Sequence, residues 1–187
     1  PHARTRSIDP PAARALPGVK AVITGRDFPR VDSDAVANLG EGAIQIRFAS
    51  HLVMARDKVV FKGQPVAAVA AVDRWTAQRA LELIKVDYEP LPVVDDVLDA
   101  MKPGAPLIHE DLYTEVPGGQ RSLEPSNIAK HIQHTRGDIQ KGFQEADVIV
   151  EREFRTQMVH QGYIEPQNAV ASWEPDGRLT VWCSTQG

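Results

Sequence analysis

At 187 residues the chain can bury a real core and hold one large or two small domains, and its organisation favours two units. Lys plus Arg number 21 against 25 for Asp plus Glu, a net charge of -4 with no basic run able to neutralise several phosphates, so nucleic acid is not an expected partner. The longest uninterrupted apolar stretch, Pro65 to Val72, is far shorter than the ~20 residues a bilayer span requires, and the single Cys183 allows neither an internal disulfide nor a Cys-rich metal site, which suits a reducing, cytoplasmic setting.

Asp9-Pro10-Pro11 followed by an alanine-rich run and Pro17-Gly18 predicts one short helix, with Asp9 as the N-cap candidate. Val19 to Ile23 reads as a buried strand, and a polar, Gly-containing stretch follows through about Gly42. Lys58 to Phe61 and Pro65 to Val72 read as two strands joined by the Lys62-Gly63-Gln64 turn. Asp73 then caps a helix whose Ala77, Ala80, Leu81 and Ile84 recur at the spacing of one helical face. Val86 to Tyr88 completes a strand, helix, strand unit, and Asp96 to Met101 adds a helical turn.

From Lys102 to Asn127 seven prolines and glycines (Pro103, Gly104, Pro106, Pro117, Gly118, Gly119, Pro125) break both periodicities, so a long connection is expected there. Beyond it, Ile128 to Thr135 alternates like a strand, Asp138 to Ala146 like a capped helix, and Val148, Val150, Arg152 and Phe154 like a second strand. Ala169 to Trp173 and Leu179 to Ser184 flank the turn residues Glu174 to Arg178, a hairpin pattern. The class is α+β, with segregated elements. Since the chain opens on Pro1 rather than Met, and Thr185-Gln186-Gly187 directly follows an apolar alternating run, it reads as a fragment of a longer protein.

Candidate sites have plainer readings beside them. His131 and His134 would point to opposite faces of a strand, so they are expected as surface histidines rather than a metal pair. His109-Glu110-Asp111 lacks the oxygen ligands of a Ca²⁺ loop and reads as a solvated acidic turn. Asp95, Asp96 and Asp99, near Glu89, suit helix capping. Cys183 is expected as a buried inert thiol, and Gly118-Gly119 does not join a strand to a helix as a phosphate cradle would. Glu165 before Pro166 could be a buried acid or a structural carboxylate, and the amides Gln161, Gln167 and Gln186 could bind a ligand oxygen or satisfy loop backbone.

Three segments carry a resemblance to a known family. Pro1-His2-Ala3-Arg4 with Ser7-Ile8-Asp9 and Ala15-Leu16-Pro17-Gly18-Val19 through Thr24-Gly25 resembles the opening of the α/β hammerhead domain in the large, molybdenum-binding subunit of the xanthine dehydrogenase and aldehyde oxidase family. Lys62-Gly63-Gln64-Pro65-Val66 through Val86-Asp87-Tyr88-Glu89-Pro90-Leu91-Pro92 is similar to that domain's second half. Gly137-Asp138, Gly142-Phe143, Ala146-Asp147, Val150-Glu151, Phe154, Glu165-Pro166, Ala169 to Ala171, Leu179 and Ser184-Thr185-Gln186 resemble the start of its molybdopterin-binding domain.

The resemblance implies a hammerhead domain over 1–105, a connection over 106–127 and an incomplete, mixed α/β portion of a molybdopterin-binding domain over 128–187. It implies a parent molybdenum hydroxylase-type oxidoreductase acting on an aldehyde, a purine or other N-heterocycle, carbon monoxide or a similar small molecule, or reducing an aromatic thioester. Electrons would pass through 2Fe-2S and FAD subunits. Gln186 matches the glutamine beside an oxo ligand of the molybdenum and is the one cofactor-binding residue expected; Glu165 matches a structural glutamate. No catalytic residue and no protein metal ligand is expected within 1–187, so the fragment alone should be inactive, hold no cofactor and tend to self-associate. The competing reading is a non-catalytic hammerhead scaffold or interaction domain.

Overall fold

The computed structural model describes residues 2–33, 35–38, 43–159, 162 and 164–185. Strand β1 (Ala3–Asp9) points Ala3 and Thr5 inward and is followed by helix α1 (Pro11–Arg14). The N-cap is Pro10 rather than the expected Asp9, and no side chain caps the helix. With proline at the first helical position one of the orphan N–H groups is already missing, so the cap has less to satisfy. The Arg14 guanidinium holds α1 to strand β2 (Val19–Thr24) by donating to the Val22 carbonyl at 3.1 Å. A 3-10 turn over Gly25–Asp27 ends β2 through a reciprocal cap: the Thr24 N–H donates to Asp27 Oδ2 at 2.7 Å and Thr24 Oγ1 accepts from the Arg26 N–H.

Strands β3 (Val36–Asn38) and β4 (Ala43–Gln45) pair antiparallel and lead into helix α2 (Ile46–Val53). Helix α2 is amphipathic at the helical period, although Gln45 provides no side-chain cap and the helix fully buries none of its residues. Strands β5 (Lys58–Val59) and β6 (Ala67–Ala71) do not form a hairpin: β5 pairs with β1, and β6 pairs with β2. Gln64 explains the separation, since its side-chain carbonyl accepts from the Val60 N–H at 2.8 Å and its amide donates to the His51 carbonyl at 2.9 Å, directing this chain away from a ladder.

Helix α3 (Arg74–Glu82) is capped by Asp73, which accepts from the Thr76 N–H at 2.8 Å. Ala77, Ala80 and Ile84 lie on its inward side, but Leu81 is half-exposed. One residue past the buried Ala80, it is turned about 100° around the axis. Strand β7 (Lys85–Pro90) returns to pair with β1, so the strand, helix, strand unit joins two antiparallel sheets instead of forming a parallel crossover. Among the described residues the core contains two small clusters, Ala3, Ala55 and Val59 with Val66, and Ala13, Val22 and Ala80 with Leu16, Val19, Val69 and Ile84.

Helix α4 (Val97–Ala100) has Asp96 as its cap, accepting from the Leu98 and Asp99 N–H groups. The stretch expected as a bare connection contains a hairpin of β8 (Tyr113–Glu115) and β9 (Arg121–Pro125), turned by Gly118 and Gly119 at φ +92° and +80°. The chain divides into two compact units, 1–133 and 134–187. Residues 106–127 are bonded into the first, where Asn127 donates to the Ala100 and Pro106 carbonyls and accepts from the Ile108 N–H.

Ile128 to Thr135 is not a strand; its one bridge is Lys130 beside Glu115. In the second unit helix α5 (Ile139–Glu145) is capped by Asp138, which accepts from the Lys141 N–H at 2.9 Å. Residues 148–154 have no ladder partner among the described residues, and Val148 and Phe154 are 78% and 88% exposed. Alternation favours a strand only where a neighbouring strand completes its hydrogen bonds. Strands β10 (Asn168–Trp173) and β11 (Leu179–Ser184) form the expected hairpin, in unbroken register from Asn168 opposite Ser184 to Trp173 opposite Leu179. Gly177 at φ +85° closes the turn.

Candidate functional site

Gln186, the one residue expected at a cofactor, lies outside the described residues, as does Gln161. The structure describes the strand that leads to it. The β10–β11 register puts Ala169, Ala171, Trp173, Leu179, Val181 and Cys183 on one face, and Asn168, Val170, Ser172, Thr180, Trp182 and Ser184 on the other. The first face is wholly apolar and the second mixes Val170 and Trp182 with hydroxyls. Ser184 Oγ donates to the Pro166 carbonyl at 3.2 Å, fastening the end of β11 to the segment that carries Glu165.

One expectation changes here and two others gain detail. Cys183 is exposed, because the apolar face it shares has no covering layer among the described residues. Glu165 is exposed as well, so it is not a buried acid, and Gln167 beside it is also exposed. His109-Glu110-Asp111 is a turn with both carboxylates exposed, as expected, and it also serves as a strap bonded within the first unit. Glu110 pairs with Lys58 Nζ at 2.7 Å, Asp111 with Arg47 at 3.2 Å, and the His109 ring packs edge-on against Phe48 with centroids 5.2 Å apart. Arg47 lies 4.7 Å over the same Phe48 ring. Burial lowers the His109 pKa below the ordinary value and the Lys58 ammonium lowers it further, with the Asp111 carboxylate opposing. Nothing in the local sequence signals the strap, since its partners lie some fifty or more residues earlier in the chain.

The remaining candidates take their plain roles. His131 and His134 are exposed, Asp96 caps α4, Asp99 pairs with Lys102, and Gly118-Gly119 turn a hairpin. Among the described residues no group of three or more His, Cys, Asp and Glu is placed to hold a metal ion. The side chains at the end of β11, Ser184 and Thr185, are neutral, and the Ser184 hydroxyl proton is already given to the Pro166 carbonyl. A neutral strand end fits a metal carried on an organic cofactor better than one ligated directly by protein side chains.

Comparison with known proteins settles the family. Residues 1–92 match the family described as aldehyde oxidase and xanthine dehydrogenase, a/b hammerhead domain, and residues 121–187 match the molybdopterin cofactor-binding domain. The chain belongs to the aldehyde oxidase and xanthine dehydrogenase family. It is 38% identical over 99% of its length to the carbon monoxide dehydrogenase large chain of Afipia carboxidovorans, and 32% identical over its full length to a probable xanthine dehydrogenase subunit of Bacillus subtilis. Among solved structures of the family, the reconstituted CO dehydrogenase from Oligotropha carboxidovorans superposes with a TM-score of 0.73 at 36% identity over 97% of the chain. Quinoline 2-oxidoreductase from Pseudomonas putida 86 gives 0.76 at 28% identity over 99%. The chain spans about a fifth of the length of these relatives, 22% of each. Several relatives are named as chains or subunits of larger complexes. No helix among the described residues is long and apolar enough to cross a membrane.

Proposed function

We propose that the protein to which these residues belong is a molybdopterin-dependent oxidoreductase of the hydroxylase type, and that this chain supplies its hammerhead platform and one edge of its cofactor site. The observation that carries the reading is the order of parts: a hammerhead unit, then a continuous hairpin whose last strand leads directly to Ser184-Thr185-Gln186 within the matched cofactor-binding stretch. The platform occupies 1–105 and the cofactor-binding portion begins at 128, with 106–127 as the connection along the chain. When bound, the molybdenum-pterin group supplies two-electron redox chemistry and Lewis acidity.

Within this chain, Gln186 donates its side-chain amide N–H to an acceptor oxygen of that group. The Ser184 bond to the Pro166 carbonyl holds the strand end from which Gln186 is presented. The substrate is a small molecule with an oxidisable carbon, such as an aldehyde, an N-heterocycle or carbon monoxide, and electrons leave through 2Fe-2S and FAD partners in the cytoplasm.

Elemental analysis and pterin fluorescence of the full-length protein from its native host test this. About one molybdenum and one pterin per chain are expected; neither, in a folded preparation, would replace the enzyme with a scaffold. Gln186→Ala in the full-length protein should lower turnover by about 10²-fold, the loss of one oriented donor. Turnover equal to wild type removes Gln186 from the site.

A further inference from the structure

A cleft of about 560 Å³ opens wholly within the first unit, a volume in the range of ligand and peptide sites. Its lining comes from the loop Phe28 to Asp32 that follows the 3-10 turn, the second half of α2 with Met54, β5 with its flanking residues, and the strap residues His109 to Asp111. Phe28, Val31, Leu52, Val53, Met54 and Val60 make much of the lining apolar, and four cations, Arg4, Arg30, Arg56 and Lys58, also reach it.

The charges are unevenly matched. Arg4 and Lys58 are direct cross-strand partners in the β1–β5 ladder, an arrangement that repels unless carboxylates offset it. Lys58 has Glu110 at 2.7 Å and Arg30 has Asp57 at 3.0 Å. Arg56 donates to the Phe28 carbonyl and makes no ion pair with a described residue; nor does Arg4, although Glu110 feels its charge. Of the lining carboxylates Asp111 is committed to Arg47, which is not part of the lining, and Asp32 makes no ion pair with a described residue. Two guanidinium groups therefore stand against one uncommitted carboxylate in a partly apolar lining.

We propose that this cleft is a docking site for an acidic, apolar-bearing segment of another polypeptide chain: an extended stretch whose carboxylates pair with Arg4 and Arg56 while an aliphatic or aromatic side chain sits against Phe28, Val53 and Met54. Arginine suits the role because its planar fork binds carboxylate in two places and its charge persists at every physiological pH. Its lining comes entirely from residues 4–111 and includes no residue of the proposed cofactor-binding portion, so the proposal does not rest on the cofactor chemistry.

The test uses the full-length protein and two synthetic probes, acetyl-Leu-Glu-Asp-Phe-Glu-amide and its isosteric neutral counterpart acetyl-Leu-Gln-Asn-Phe-Gln-amide, with calorimetry for affinity and side-chain-selective NMR for location. The acidic peptide should bind about tenfold more tightly, lose that preference as salt rises through a few hundred millimolar, and shift the resonances of Met54, Val60 and His109. Arg4→Ser should remove most of the preference and Arg4→Lys should keep it. Among the described residues the Arg4 side chain bonds to no carbonyl, so the pair of variants separates charge from folding. Equal affinity for the two peptides, binding indifferent to Arg4→Ser, or shifts confined to the second unit would each overturn the proposal. Concentration-dependent self-association that Arg4→Ser abolishes would also overturn it, by making the occupant a second copy of this chain.

Discussion

Gly25→Ala offers a sharp stability test, because the cost comes from a measurable lack of space. Gly25 opens the 3-10 turn after β2 and has an ordinary backbone conformation, so a side chain there meets no dihedral penalty. A methyl group at that position would lie 2.4 Å from the Ala55 carbonyl oxygen, 2.8 Å from its carbon and 2.9 Å from the Arg56 Cα. A carbon–oxygen contact needs about 3.3 Å, so backbone must retreat by about 1 Å. Ala55 cannot move freely, because it is 1% exposed, packs with Ala3 and Val59, and donates to the Pro65 carbonyl at 2.7 Å. Overpacking of this kind costs about 1–3 kcal/mol. With a urea slope of about 1–3 kcal/mol/M, the midpoint of the first unit should fall by roughly 1 M. Gly142→Ala is the matched control: it lies inside α5, has open space around its Cβ, and should raise helicity there by up to about 1 kcal/mol. Urea titration followed by circular dichroism and by amide exchange in β1 and β6 reads both variants. An unchanged midpoint for Gly25→Ala would refute the packing argument.

Gln64→Ala should destabilise the first unit by about 1–3 kcal/mol, because it strips the partly buried Val60 N–H of its acceptor; faster exchange at the Val60 amide is the direct readout. His109 has a folded pKa below its unfolded value through burial and Lys58, so its contribution is present above the unfolded pKa and lost as pH falls through the folded one. Amide exchange in 106–112, corrected for intrinsic rate, should therefore accelerate as pH falls below the ordinary histidine value of about 6.5, and His109→Gln should flatten that response. Leu179→Lys with Val181→Lys places two charges on the wholly apolar hairpin face and should reduce self-association in light scattering; scattering equal to wild type would show that this face is not the sticky one.

Local chemistry makes part of the fold legible. Asp73, Asp96 and Asp138 are readable as caps because each stands just before a helical run and its oxygen has a donor two or three residues ahead. The β10–β11 hairpin is readable because its turn residues and alternation agree. Pairing is another matter: the Lys62-Gly63-Gln64 turn has the character of a hairpin connection, yet β5 and β6 join different sheets. Nothing within a dozen residues reveals that the Gln64 side chain will take the hydrogen bonds a hairpin ladder would have used.

The second unit shows the converse limit. Residues 148–154 alternate at least as clearly as β10, but β10 has β11 within reach of one turn, while 148–154 meets no strand among the described residues and remains exposed. Period-two patterning encodes which face a strand will bury, not which strand will pair with it. The same argument bears on Cys183. Its place in an apolar run predicts burial, and the face is apolar as expected, but burial needs a covering layer that the described residues do not supply. A Trp173→Lys substitution, on that face, should therefore cost little in the isolated chain and much in the full-length protein if the remainder of the cofactor-binding domain covers it. Equal tolerance in both would mean that the face stays in solvent, and would weaken the assignment of this hairpin to the wall of a cofactor site.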